Sequence, residues 1–372
     1  MRKVLLHILN SFVAGSKIDL ERIKNFTQEE WNTLYTITKQ QGITGVIFEV
    51  VRNIPKEYAP SRELVLRWTA HTLSIEKQTK ANFIRSVQFA NIMHENGLHT
   101  LVLKGAAISQ YYPNPWHREY GDLDCYLYKN DKGKIKWSGC YEEGNCIAEQ
   151  SGCKVMRGHY KHSHIQFEGL EVENHQFALP IKDGIDTKAL EQKLRQLVED
   201  SDTLTVINDS CLYCPPADFN ALFLTAHSMN HFLYESINLR HIMDWALFLK
   251  AEQERVDWEC FWSWCERMHY TRFAQCMNYI CKTHLGVQIH AFTVNEDEYI
   301  KYLSMRILKD IFDGENIYNK GYSTLRLRYE LAVSFLKSMW KYRLIYQKNA
   351  LWLLLNKTIG VFAHKVSLEG ND

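Results

Sequence analysis

Asp122 and Asp124, one apolar residue apart in the run Gly121-Asp122-Leu123-Asp124-Cys125-Tyr126-Leu127-Tyr128, constrain this chain more than any other feature. Side chains alternate faces along a β-strand, so the spacing predicts both carboxylates on one face, with Leu123 and Cys125 turned into packing. Two carboxylates brought together repel unless a cation lies between them. Hard oxygen donors of this kind suit Mg²⁺ (or Mn²⁺), which binds one or two carboxylates together with substrate phosphates. Metal-assisted phosphoryl or nucleotidyl transfer is the chemistry such a strand can support.

The upstream segment is compatible with that chemistry. Asn96-Gly97 ends a long helical pattern, Leu101-Val102-Leu103 reads as a short apolar strand, and Lys104-Gly105 breaks it before a helix begun at Ala106. A strand, a glycine turn and a helix N-terminus present free backbone N–H groups to an anion, and Lys104 would add a point charge. Downstream, two short runs flank Gly169 as a hairpin, Ile165 to Glu168 and Leu170 to His175. The period of two puts Glu171, Glu173 and His175 on one face.

These pieces together closely resemble the uncharacterised nucleotidyltransferase family of the polymerase-β-like superfamily. The resemblance is carried by Leu103-Lys104-Gly105-Ala106-Ala107, Tyr112-Pro113, Arg118 ahead of Asp122-Leu123-Asp124, and Val172-Glu173-Asn174-His175. Asn174 stands where the family has a hydrophobic residue. The resemblance implies that Asp122, Asp124 and Glu173 are both catalytic and metal-holding. It further implies that Lys104, Gly105 and Arg118 bind the nucleotide of an NTP donor, ATP among the candidates.

Each residue also has a structural reading. Lys104 could be a solvated turn lysine. Arg118 could pair with Asp122 or Glu119, or clamp a phosphate with its planar fork. Glu171 reads as a solvent-facing neighbour, and His175 as a packing residue or a participant. A second polar cluster lies downstream, with His227 and His231 four apart on one helix and Arg240, His241 and Asp244 on the next. It could hold a metal through two His and an Asp. It could instead be a buried network in which Asp244 bonds Arg240 across one turn. By the resemblance, His175, His227, Arg240 and Asp244 would line the acceptor pocket. His159, His162 and His164 form a further group, with His162 and His164 on one face if extended.

The fold expected is α+β: a small mixed-sheet core flanked by an N-terminal helical segment and a C-terminal helical bundle. The divisions fall at 1–97, 98–200 and 201–372. Helices are expected over 4–13, 28–41, 43–52 and 61–96, the last with a stripe of Leu64, Trp68, Leu73, Ile75, Phe83, Val87 and Ile92. Segment 129–164 is weakly periodic, with a helix near 141–151. From Asp218, read as a helix cap, only helices follow, the last over 296–313 and 324–366.

Composition narrows the partners. With 46% hydrophobic and 23% charged residues among 372, the chain has the balance of a soluble globular protein. A formal charge of +1 provides no global field for a polyanion, so no extended nucleic-acid footprint is expected. The N-terminal run is amphipathic rather than a signal peptide. The apolar run at 351–355 is too short to span a bilayer. Ten cysteines, including the pair Cys211 and Cys214, form no zinc-ribbon or disulfide framework and suit a reducing cytoplasm. Arg326, Arg328, Lys337, Lys341, Arg343, Lys348 and Lys357 lie among aromatics near the C-terminus. They read either as a basic helical face or as a patch steering an anionic acceptor.

The activity expected is transfer of a nucleoside monophosphate from an NTP to the hydroxyl or phosphate of a small molecule, glycan, RNA or protein. Two alternatives share the motifs: a toxin of this fold modifying tRNA or protein, and a non-catalytic nucleotide-binding module.

Overall fold

A computed structural model describes residues 1–180, 185–234, 236–313, 326 and 339–344. The helices expected at the N-terminus are present as α1 (Arg2–Ala14), α2 (Gln28–Gln40), α3 (Thr44–Val51) and α4 (Arg62–Glu95). Thr27 and Glu30 form a reciprocal capping box that starts α2. Ser61 accepts the Leu64 N–H at the start of α4. The buried stripe of α4 runs through Leu64, Trp68, Thr72, Ile75, Thr79, Asn82, Ser86, Phe89, Ala90 and Met93. Leu73, expected on that stripe, is 58% exposed. The polar residues Thr72, Thr79, Asn82 and Ser86 occupy inward positions instead, and two of them donate to backbone carbonyls. Asn82, for example, donates to the Tyr120 carbonyl at 3.0 Å.

The central elements follow as β1 (His99–Val102), α5 (Ala106–Ser109), β2 (Asp122–Asp131), β3 (Lys134–Lys136), α6 (Cys140–Gln150), β4 (Lys154–Met156), β5 (His162–Phe167), β6 (Leu170–His175), α7 (Ile185–Glu199), β7 (Thr205–Val206) and β8 (Leu212–Cys214). They build a mixed eight-stranded sheet in the order β4-β5-β6-β2-β1-β8-β7, with β3 paired to β2. The pair β5–β6 turns through Glu168 and Gly169, both at positive φ, as expected of a tight hairpin. The weakly periodic segment contains β3 and β4 besides its helix, together with the end of β2 and the start of β5. Strand β8 pairs parallel with β1 and lies beyond position 200.

Helices then continue as α8 (Ala217–Tyr234), α9 (Leu239–Glu252), α10 (Trp258–Arg267), α11 (Thr271–Leu285) and α12 (Glu298–Asp313). Asp218 lies inside the first turn of α8; its carboxylate accepts the Asp257 N–H at 2.7 Å rather than capping its own helix. The helix read at 324–366 falls mostly outside the described residues, as do Arg328, Lys337, Lys348 and Lys357. All ten cysteines are free, so they act as small apolar or surface groups. Among the described residues no helix is long and apolar enough to cross a membrane.

The two faces of the sheet have different partners. Leu123, Cys125, Leu127, Ile165 and Val172 pack with Phe89, Ala90 and Met93 of α4 and with Cys140, Ile147 and Ala148 of α6. Gly144 allows that approach, because a Cβ there would fall 2.1 Å from Leu127 Cδ1. Leu101, Leu103, Tyr126 and Tyr128 join a second core shared with α1–α3 and α8–α12. On β2, the even-numbered side chains therefore face the helices. Asp122 and Asp124 are even-numbered, which places them between the sheet and the helical bundle.

Candidate active site

Two strands bring the expected acidic residues together. β2 and β6 are parallel neighbours in the register Asp122↔Glu171, Leu123↔Val172 and Asp124↔Glu173. Directly paired residues in adjacent strands point the same way, so Asp124 and Glu173 share one side of the sheet. His175 follows two residues later on that side. Its Nε2 lies 3.1 Å from Asp124 Oδ1 and 3.3 Å from Glu173 Oε2. Donor atoms of Asp124, Glu173 and His175 fall within 4.8 Å of one another, a group able to hold a metal ion. Asp122 stands at the edge of this group, more exposed, with Glu171 beside it paired to His164.

Lys104 ties the two aspartates. Its Nζ lies 3.0 Å from Asp124 Oδ2 and 3.7 Å from Asp122 Oδ2, so the ammonium stands between the carboxylates. Gly105 follows at φ 57 and ψ −112, a conformation costly for a residue with a side chain. It turns the chain so that Lys104 points back over β2, and a Cβ there would contact the Tyr120 ring at 3.5 Å. The helix expected to start at Ala106 is a single turn, Ala106–Ser109. Its dipole is correspondingly small, and the charge of Lys104 dominates the turn.

Electrostatics separate the two aspartates. Burial raises the Asp122 carboxyl, and the neighbouring Asp124 raises it further against the pull of Lys104. Burial also opposes ionisation of Asp124, but Lys104 and His175 overcome it and hold that carboxyl well below the ordinary range. Burial pushes His175 down, yet hydrogen bonds to Asp124 and Glu173 bring it above its ordinary value. His162, beside Glu173, is depressed by burial to about 4 and is neutral near pH 7.

The donor set fits a hard divalent cation. Asp124 Oδ2 is buried and accepts no hydrogen bond, with only the ammonium of Lys104 alongside as an ion-pair partner. A buried anionic oxygen of this kind, flanked by further carboxylates and by His175, suits a divalent cation.

Arg118 has a different partner from either expected. It is buried, and its Nε and Nη2 donate to Asp244 Oδ1 and Oδ2, each at 2.8 Å. Tyr112 donates to the same Oδ1 at 2.8 Å. Asp244 is thus held by Arg118 and Tyr112 rather than by Arg240, whose Nη1 donates to the Glu119 carbonyl at 2.9 Å. These bonds anchor the loop preceding β2 onto α9. The same loop is fixed to α3 and α4 by His117, whose ring nitrogens meet Glu49 and Glu76. The strand carrying both aspartates is therefore held from three helices.

His227 and His231 pack edge to face with centroids 4.5 Å apart, and their third neighbour is His241 rather than Asp244. The cluster lies near enough to Lys104 and Lys161 for their charges to add to burial in keeping His227 neutral.

Two features had no signal in the residue pattern. Lys161 is half-buried, and its amine is lowered by burial while Asp124, Glu173 and Glu191 act to raise it. It makes no ion pair among the described residues. In the sequence it is one surface-type lysine in a histidine-rich loop. A cavity of about 170 Å³ also opens beside His175, walled by Tyr126, Trp137, Tyr141, Phe177 and Arg195. Its walls come from four separate elements, which spacing along one strand cannot reveal.

A family model described as uncharacterised nucleotidyltransferase matches residues 27–286, covering the α/β core and the helices on both sides of it. No curated protein and no solved structure matches the chain.

Proposed function

The chain belongs to the uncharacterised nucleotidyltransferase family, whose chemistry is nucleotidyl transfer with an NTP as donor, and from that premise we propose a divalent-metal-dependent enzyme acting at Asp122, Asp124 and Glu173. The observation that carries this reading is the register of β2 and β6, which sets Asp124 and Glu173 side by side with Asp122 two residues away. These three carboxylates would hold Mg²⁺ or Mn²⁺. When bound, such an ion neutralises triphosphate charge and polarises the phosphoryl group under attack.

The chain's own residues supply positioning. Lys104 already lies against the carboxylates and is free to swing to the β- and γ-phosphates once they are otherwise neutralised. Gly105 shapes the turn that aims it. Lys161, half-buried and lacking an ion pair among the described residues, adds a second positive charge for the triphosphate. Glu173, with His175 beside it, accepts or orients the acceptor's hydroxyl proton. Arg118 acts as a positioning residue, because its guanidinium is committed to Asp244 and through it fixes the loop leading into β2. Arg240 and Asp244 shape the helical wall of the site, and His227 faces it. The acceptor enters between the sheet and the helices. Most of the rate acceleration then comes from holding reactants in line and stabilising charge.

The test is pyrophosphate release from each NTP in turn, with Mg²⁺ or Mn²⁺, by the wild-type protein and by Asp124→Asn. Metal-dependent release by the wild type that the variant lacks supports the reading. Equal release by both, at matched folding, contradicts it.

A further inference from the structure

We infer that His227, His231 and His241 form a second metal site, nitrogen-rich and suited to a zinc-class ion, distinct from the carboxylate group on the sheet. One ring nitrogen from each lies within 4.8 Å of the others. His227 and His231 sit one turn apart on α8, a spacing that puts two imidazoles on one face. His241 comes from the first turn of α9 and closes the triangle, with its ring centroid 5.3 Å from His231 and 6.0 Å from His227.

Three properties beyond proximity point to a cation. The first is protonation state, since zinc takes neutral imidazoles. Burial holds His227 well below its ordinary value and lowers His241 to about 3, so both offer lone pairs at neutral pH. The second is ring orientation. His241 Nδ1 lies 2.9 Å from the Asn238 side-chain oxygen and 3.2 Å from the Asn238 backbone nitrogen, so Asn238 fixes the ring, and ligation through Nε2 takes the tautomer whose Nδ1–H donates to that oxygen. Phe223 stacks on His227 at 5.6 Å and 27°, which fixes that ring as well. The third is satisfaction. His227, half-buried beside two imidazoles and Phe223, makes no hydrogen bond among the described residues, which leaves its ring nitrogens open to a cation.

Donor chemistry selects the ion. Three nitrogens and, among the described residues, no carboxylate in the group disfavour Mg²⁺ and favour Zn²⁺, with Co²⁺ as its spectroscopic substitute. Zn–N bonds of about 2.0–2.1 Å need nitrogens roughly 3.3 Å apart, a closure of the present triangle that small χ changes can supply. The positive charges of Lys104 and Lys161 oppose a cation here. Asp244, one turn along α9, acts on His241 in the opposite direction and offsets part of that repulsion. Three protein ligands leave a fourth position open, as in zinc sites that bind a water or a substrate oxygen.

The experiment measures zinc in the full-length protein after loading with Zn²⁺ and exhaustive dialysis, beside His231→Gln, His227→Gln and Asp124→Asn. One zinc per chain, retained in Asp124→Asn and lost in either histidine variant, supports the site. Substoichiometric zinc in the loaded wild type overturns it, as does full zinc in well-folded histidine variants. Should those variants fail to fold, the visible spectrum of the Co²⁺-loaded wild type decides. Intense four-coordinate bands without thiolate charge transfer support three imidazoles and an open position. Weak six-coordinate bands point to oxygen ligands, and thiolate charge transfer points to Cys211 and Cys214; either overturns the assignment.

Discussion

Asp124 and Glu173 are direct partners on the parallel strands β2 and β6, with His175 Nε2 within 3.3 Å of both carboxylates. They are remote in the chain, and only the crossover from β2 through α6, β4 and β5 brings them side by side. That crossover lies over the sheet face packed against α4 and α6, which leaves the acidic side open toward the helices.

Replacing Asp124 with Asn keeps the volume and removes the charge that balances Lys104. NTP turnover should fall by at least about 100- to 1,000-fold, the cost of losing one preorganised electrostatic group. Asp122→Asn and Glu173→Gln should act in the same direction. Steady-state pyrophosphate release checks this, with circular dichroism confirming the fold; turnover within a few-fold of wild type in Asp124→Asn would remove that residue from the site.

Breaking the buried pair Arg118–Asp244 from one side leaves an uncompensated charge next to Tyr112. Arg118→Met should lower unfolding stability by about 3–5 kcal/mol, and Asp244→Asn by a similar amount. The double change to Met and Leu should recover part of that loss, since neither charge is then stranded. Urea midpoints for the three proteins measure it. A single-variant cost below about 1 kcal/mol would mean that the pair is open to solvent.

This network also marks where the sequence was readable and where it was not. The strand Asp122–Asp131, the hairpin at Gly169 and the face shared by Glu173 and His175 follow from period-two spacing and turn chemistry, which are local properties. The partner of Arg118 is not local: it sits on α9, and charge type alone could not choose Asp244 over Asp122 or Glu119. Helix spacing placed Leu64, Trp68 and Ile75 of α4 correctly. It misplaced Leu73, because the polar Thr72 takes the inward position beside it, and an apolar stripe carries no sign of that. The single turn at Ala106 ends short of Pro113, although the apolar run continues.

His117, held between Glu49 and Glu76, gives a pH signature. Burial pushes its ring down, but the two carboxylates bring it above the ordinary value of 6.5. Its contribution to stability is therefore complete below pH 6.5, where the unfolded chain is also protonated. It is lost as pH rises from there through the higher folded value. The difference in urea midpoint between wild type and His117→Asn should shrink over that range. A difference that is flat or grows with pH would contradict the assignment.

Gly105→Ala should impair turnover while sparing most of the stability. The residue is at φ 57 and ψ −112 and lies against Tyr120, so an added methyl strains the turn that aims Lys104. The expected effect is a rise in KM for the NTP. Unchanged KM and kcat would show that the turn's conformation is immaterial to the donor.

The most direct measurement is anomalous diffraction from crystals soaked with Mn²⁺ and a non-hydrolysable NTP. The account predicts a manganese peak about 2.1 Å from carboxylate oxygens of Asp122, Asp124 and Glu173, bridging to the triphosphate, with Lys104 moved onto the phosphates. A nucleotide bound elsewhere, or a metal peak that leaves Asp124 and Glu173 bare, would contradict it.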